Sequence, residues 1–188
     1  MIKKAAIILT AFSILEIQSI AEGIYPQNLK IQASLTDYNY KSNTEIERFF
    51  KENLNSFENI IYTIIPMGLV VSINSCTFYD EGKDKLNPAS FDILNIIAKV
   101  LKIINKPCLI ESSTAADSFK TSDYKTNWEL SVVRADNIAN YLISEKIPPD
   151  KIRANGFGEI IPFFKKGETD MTERIDFIIF NYENKFKQ

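Results

Sequence analysis

Arg134 is the residue of this 188-residue chain whose type and setting most invite chemistry. It lies in the run NWELSVVRADNIANYL, Asn127 to Leu142. There Asn127 is placed to cap a helix by accepting a backbone N–H, and Glu129 falls in the positive first turn. Leu130, Ile138, Tyr141 and Leu142 recur at helical spacings as an apolar stripe, with Arg134 toward the front of the same helix and placed to face a cleft. A guanidinium is a planar fork that matches a carboxylate in two parallel hydrogen bonds, and an amino-acid-like ligand offers such a carboxylate. The alternative reading of the same residue is a structural ion pair with a loop carboxylate, Asp117 or Asp123.

The remaining constellations point away from catalysis. Asp80, Glu81 and Asp84 lack the glycine and closing glutamate of a calcium loop, so they read as a solvated turn and no metal is implied. Gly156 and Gly158 are too few, and too far from a helix start, to cradle a phosphate; turn geometry explains them. The chain has no histidine, so neither Cys76 nor Cys108 has the usual partner base of a nucleophilic thiol. Whether the two cysteines bridge is left open, because that depends on how closely their Cα atoms approach. Carboxylate pairs cleave glycans in some enzymes, but nothing here marks two of them facing a cleft. The expectation is a binding module with no cofactor and no catalytic residue. A net charge of −2 and a pI near 5.4 give no basic field for nucleic acid.

The elements that must position Arg134 follow from periodicity. Residues 1–21 read as an export signal: a basic start at Lys3 and Lys4, an apolar run from Ala5 to Leu15, and Ser19-Ile20-Ala21 as the cleavage site. That run is shorter than the roughly twenty residues that span a bilayer, so no retained transmembrane helix is expected. Residues 22–66 form an arm and an amphipathic helix. Thr44 and Glu47 make a capping box, and Ile46, Phe49, Phe50, Leu54 and Phe57 form a face that reads as core packing. The domain proper covers 67–182, and 183–188 are a polar tail. Within the domain, Leu69 to Ile73 is a first central strand, and Asn87-Pro88 opens a helix carrying Phe91, Leu94, Ala98 and Leu101. Cys108 to Glu111 is extended, Ser112 to Thr126 is a polar loop before the Arg134 helix, and Pro148 and Pro149 stop that helix. Ile152 to Ala154 and Ile175 to Phe180 are the closing strands. This is an α/β (α+β sandwich) order of β-α-β-α-β-β, with helices on one face of a mixed sheet and an N-terminal helix before it.

Four of these segments together resemble the OmpA C-terminal-like domain, the peptidoglycan-binding module of envelope proteins. They are FYDEGKDKLNPAS from Phe78, NWELSVVRA from Asn127, IPPDKIRANGFGEIIP from Ile147, and the strand from Arg174. The wording NWEL and LSVVRA is most similar to the flagellar stator B subunit version, although the membrane span with its proton-handling aspartate has no counterpart here; Glu16 is the acidic group in the apolar start. The resemblance implies an exported, periplasmic protein of the cell envelope that binds the diaminopimelate stem peptide of peptidoglycan through a cleft. Arg134 would hold a ligand carboxylate, Asn127 and the Leu130 backbone would shape the cleft, and Thr114 would line its wall. The family's aspartate, nineteen residues before the arginine, is replaced by Ala115, with Asp117 nearby as a substitute. The closing Asn-Arg-Arg reads Thr172, Glu173 and Arg174. These departures weaken the expected binding and open a second reading, a structural subunit of an envelope protein complex such as a secretion system or motor.

Overall fold

A computed structural model describes residues 42–116, 118–121, 123–160 and 172–181; the export signal, most of the arm, the polar tail and Asp117 lie outside the described residues. Five strands form a mixed sheet in the order β1-β2-β5-β3-β4: β1 (Ile60–Ile65), β2 (Gly68–Asn74), β3 (Cys108–Ser113), β4 (Ile152–Gly156) and β5 (Arg174–Phe180). The β3–β4 pair is parallel, and the other pairs are antiparallel. Among the described residues, three α-helices accompany them: α1 (42–53), α2 (Ser90–Ile104) and α3 (Asn127–Ser144).

Side-chain alternation assigns the two faces of the sheet. On β5, Ile175, Phe177 and Ile179 point to the main core; their partners Ile73, Val71 and Leu69 on β2, and Ile110 and Cys108 on β3, lie in the same cluster. Leu94, Ala98 and Leu101 of α2, Ile138 and Leu142 of α3, and Ile46 and Phe50 of α1 fill that cluster, so the helices pack on one face as expected. Each fully buried aliphatic or phenyl side chain contributes about 1.5–3 kcal/mol relative to exposure. The aromatic stripe of α1 is core packing: Phe50 and Leu54 are buried, and Phe49 and Phe57 pack against the same cluster.

Several local expectations change. The strand β1 was not anticipated, because IIYTII is apolar except at Thr63 and half-buried at every position, so it lacks the alternation that marks a strand. It forms a hairpin with β2 that turns at Pro66 and Met67. Gly68 then begins β2 so close to β5 that a Cβ would sit 1.9 Å from the Ile179 carbonyl oxygen. The chain is already helical at residue 42, which places Thr44 inside α1 rather than at its start. Phe91 is exposed and stacks beside Tyr141, with ring centroids 5.2 Å apart, instead of joining the core. Both cysteines are free: Cys76 is exposed, and Cys108 is buried in the core. Among the described residues no helix is long and apolar enough to cross a membrane, and no group of His, Cys, Asp or Glu could hold a metal ion.

The opposite face of the sheet carries a polar row. Ser72, Asp176, Glu111 and Asn155 are register partners across β2, β5, β3 and β4, and Arg174 lies beside them on β5. Arg174 Nε donates to both oxygens of Asp176, at 2.8 and 3.0 Å, with both side chains buried. Burial first, and the facing Asp176 carboxylate second, push the Glu111 carboxyl up to about 7.

Candidate functional site

The helix that carries Arg134 is capped one residue earlier than expected. Thr126, not Asn127, is the cap: its hydroxyl accepts the Glu129 N–H at 3.1 Å, while the Glu129 carboxylate accepts the Lys125 N–H at 2.8 Å. Thr126 and Glu129 have the three-residue spacing that a capping box needs, which releases Asn127 for another task. Its side-chain amide donates to the Ala116 carbonyl at 2.7 Å and ties α3 to the turn that follows β3. That turn is held from the other side as well: Thr114 N–H donates to the Gly158 carbonyl, and Ser113 Oγ donates to the Ile160 carbonyl. Ser131 Oγ accepts the buried Gly158 N–H and donates to the Trp128 carbonyl. Gly156 permits this contact, since a Cβ there would lie 2.3 Å from the Val132 nitrogen.

Arg134 is 1% exposed. Its Nε donates to the Lys83 carbonyl at 2.8 Å, Nη2 to the Asp80 carbonyl at 3.3 Å, and Nη1 to Ser75 Oγ at 3.3 Å and to Glu173 Oε1 at 2.9 Å. The guanidinium carbon lies 5.1 Å from the centroid of the Tyr79 ring, whose hydroxyl donates to the Arg134 carbonyl at 2.6 Å. Burial raises the Tyr79 phenol above its ordinary value, so it remains a neutral donor. The acidic turn at 80–84 thus serves the arginine through its backbone carbonyls. Asp84 is engaged elsewhere: its carboxylate accepts the Tyr124 hydroxyl, and its backbone carbonyl accepts the Asn137 amide.

Glu173 is the carboxylate that meets Arg134 among the described residues, in place of the loop carboxylate Asp123 considered from sequence; Asp117, the other candidate, lies outside the described residues. Its side chain is 25% exposed, and its Oε1 also accepts the Ser118 hydroxyl at 2.7 Å. Arg134 and the loop after β3 are therefore brought together, but through Glu173 and Ser118. Leu130 is wholly buried, and its backbone N–H is bonded to the Thr126 carbonyl. Thr114 is 1% exposed, which leaves its side chain almost no surface with which to line a wall. Ser75, Ser118 and Glu173 went unnoticed as site residues. The signal for Glu173 was present: an acid gained in the closing motif of a sequence that had lost one at Ala115. Beside the turn, a depression of about 370 Å³ is bordered by Ala116, Asn127, Trp128, Phe157 and Ile160. Trp128 is exposed and sits edge-on to Phe157, with ring centroids 6.5 Å apart.

Comparison with known proteins agrees with this architecture. Motility protein B of Bacillus subtilis is 31% identical over 123 residues, covering 63% of this chain and 46% of that protein. Outer membrane protein A of Bordetella avium is 33% identical over 97 residues, covering 52% and 48%. The chain thus spans about half the length of these relatives. Among solved structures, a MotB-like protein from Desulfovibrio vulgaris superposes with a TM-score of 0.67 at 21% identity, covering 81% of this chain and 96% of that one. The cell wall anchor of the T6SS from Pseudomonas aeruginosa gives 0.61 at 19% identity, covering 72% and 96%. The OmpA family model matches residues 78–175, from the turn that cradles Arg134 into the strand that follows Glu173, and the chain belongs to the OmpA family.

Proposed function

We propose that this chain is an exported protein of the cell envelope that holds peptidoglycan non-covalently, with the Arg134–Glu173 pair at the centre of the contact. The observation that carries this reading is an ion pair with a buried arginine and a carboxylate that reaches solvent, in a chain of the OmpA family. Asn127 ties the adjacent turn to α3, Thr114 binds that turn to Gly158 through its backbone N–H, Leu130 is buried in the helix that follows, and Asp117 belongs to the same loop in sequence. The reading is one of binding rather than catalysis. The names of the relatives agree with it, since one is described as a cell wall anchor and another as an outer membrane protein. Co-sedimentation of the purified protein with isolated sacculi tests it: the wild type pellets with the wall, and Arg134→Lys, which loses the planar fork, pellets less. Equal retention of the two would remove Arg134 from the account, and no retention of the wild type would remove the function.

A second reading has its own observation. Four of the five guanidinium N–H donors of Arg134 are engaged by the protein's own oxygens, as in a purely structural ion pair. On that reading the domain is a structural subunit of an envelope machine. It would join a larger assembly in detergent-free envelope extracts and show no sacculus retention. A partner in that assembly would dock elsewhere than on Phe49, Phe50 and Phe57, which pack in or against the core.

A further inference from the structure

We propose that the group recognised at this site is a primary ammonium, received by the second carboxylate oxygen of Glu173, and that Arg134 is the positioning residue that holds this carboxylate. The inference rests on the peptidoglycan reading above and reverses the polarity that the arginine alone suggests. An arginine in a cleft invites a ligand carboxylate. This arginine, however, is 1% exposed, and its donors are directed at Lys83, Asp80, Ser75 and Glu173. A ligand carboxylate reaches it only by expelling Glu173 and breaking a charge-assisted hydrogen bond already made.

Glu173 is arranged the other way round. Its Oε1 accepts from both Arg134 and Ser118, which fixes the plane of the carboxylate. Its Oε2 has no partner among the described residues and is not a buried atom, in a side chain that is 25% exposed. A carboxylate oxygen in that state has open acceptor positions, and an ammonium carries three donors and no acceptor. The ion pair therefore presents an oriented acceptor to the outside while keeping its cation inside. A stem peptide ending in diaminopimelate carries both an ammonium and a carboxylate, and the ammonium is the end that meets this surface without displacing anything. The same arrangement accounts for both departures in the sequence, an acid absent at Ala115 and an acid present at Glu173, as the relocation of one function from the loop to the strand entry.

The test uses the intact protein and three forms of a diaminopimelate stem peptide: unmodified, acetylated on the side-chain amine, and amidated on the side-chain carboxyl. Titration calorimetry is expected to show a loss of about tenfold or more on acetylation, the size of one charge-assisted hydrogen bond, and little change on amidation. Glu173→Gln keeps an oxygen for Arg134 but loses the charge, and is expected to weaken the unmodified peptide by a similar factor. Loss on amidation with none on acetylation overturns the assignment, as does tighter binding by Glu173→Gln, which would make Glu173 a competitor for Arg134. Sacculus retention by the wild type separates the two levels. Retention without sensitivity to acetylation defeats the ammonium assignment alone, whereas no retention defeats the reading beneath it.

Discussion

Two buried arginines, Arg134 of α3 and Arg174 of β5, each have one principal carboxylate, and they differ in the exposure of the acid. Arg174 and Asp176 are both 1% exposed, with Glu111 opposite on β3, so that cluster is closed. Arg134 is equally buried, but Glu173 is 25% exposed. Glu173 and Arg174 are adjacent in sequence, so one strand entry serves both pairs. The contrast teaches that the burial of an arginine does not decide whether its ion pair can meet a ligand; the access of its partner does. The closed pair is a fold element, and the open one is a fold element with a receptor on its outer side.

The largest predicted effect separates the pairs by stability. Asp176→Asn leaves Arg174 buried beside a weaker partner and is expected to cost about 3 to 5 kcal/mol in urea unfolding, the range for breaking a buried pair. Glu173→Gln is expected to cost only about 1 kcal/mol, because water reaches the position and the Lys83 and Asp80 carbonyls still hold Arg134. Equal losses would erase the distinction between a closed and an open pair.

The second effect is a pH dependence confined to the closed cluster. Folded Glu111 keeps its proton up to about pH 7, while the unfolded carboxyl releases it near its ordinary value of 4.5. Its contribution is therefore fully present below pH 4.5 and is lost as pH rises through 7, a change of up to about 3 kcal/mol. Burial likewise raises the neighbouring Asp176, and Arg174 opposes that rise. Denaturation midpoints across pH 4 to 8 should fall for the wild type and fall less for Glu111→Gln, in which the raised Asp176 still contributes; an unchanged slope in the variant would remove Glu111 as a cause.

The smallest effect concerns the wall that frames the open pair. Ser131→Ala removes the acceptor of the buried Gly158 N–H and is expected to cost about 1 to 2 kcal/mol while leaving the pH slope untouched. A larger loss, or a changed slope, would mean that the loop and the closed cluster are coupled.

Much of the frame was legible in the residues. The stripes of α2 and α3, the buried β2 and β5, and the helices on a single face follow from apolar spacing, and the importance of Arg134 followed from its type and place. The strand β1 escaped because Ile60 to Ile65 has no alternation to read. The cap moved from Asn127 to Thr126 because two adjacent residues were both competent, and the reach of Glu129 decided between them. The partner of Arg134 was hidden for a different reason: it lies 39 residues along the chain, and periodicity says nothing about which distant carboxylate will arrive. The burial of Arg134 was hidden with it, since four acceptors from three segments enclose the guanidinium.

The most direct measurement is a titration of the unmodified stem peptide into isotope-labelled protein while the backbone amides are followed by NMR. The account predicts saturable shifts at Ser118 and Glu173, with Glu111 and Asp176 unmoved. Saturable binding that leaves Ser118 and Glu173 in place would contradict it.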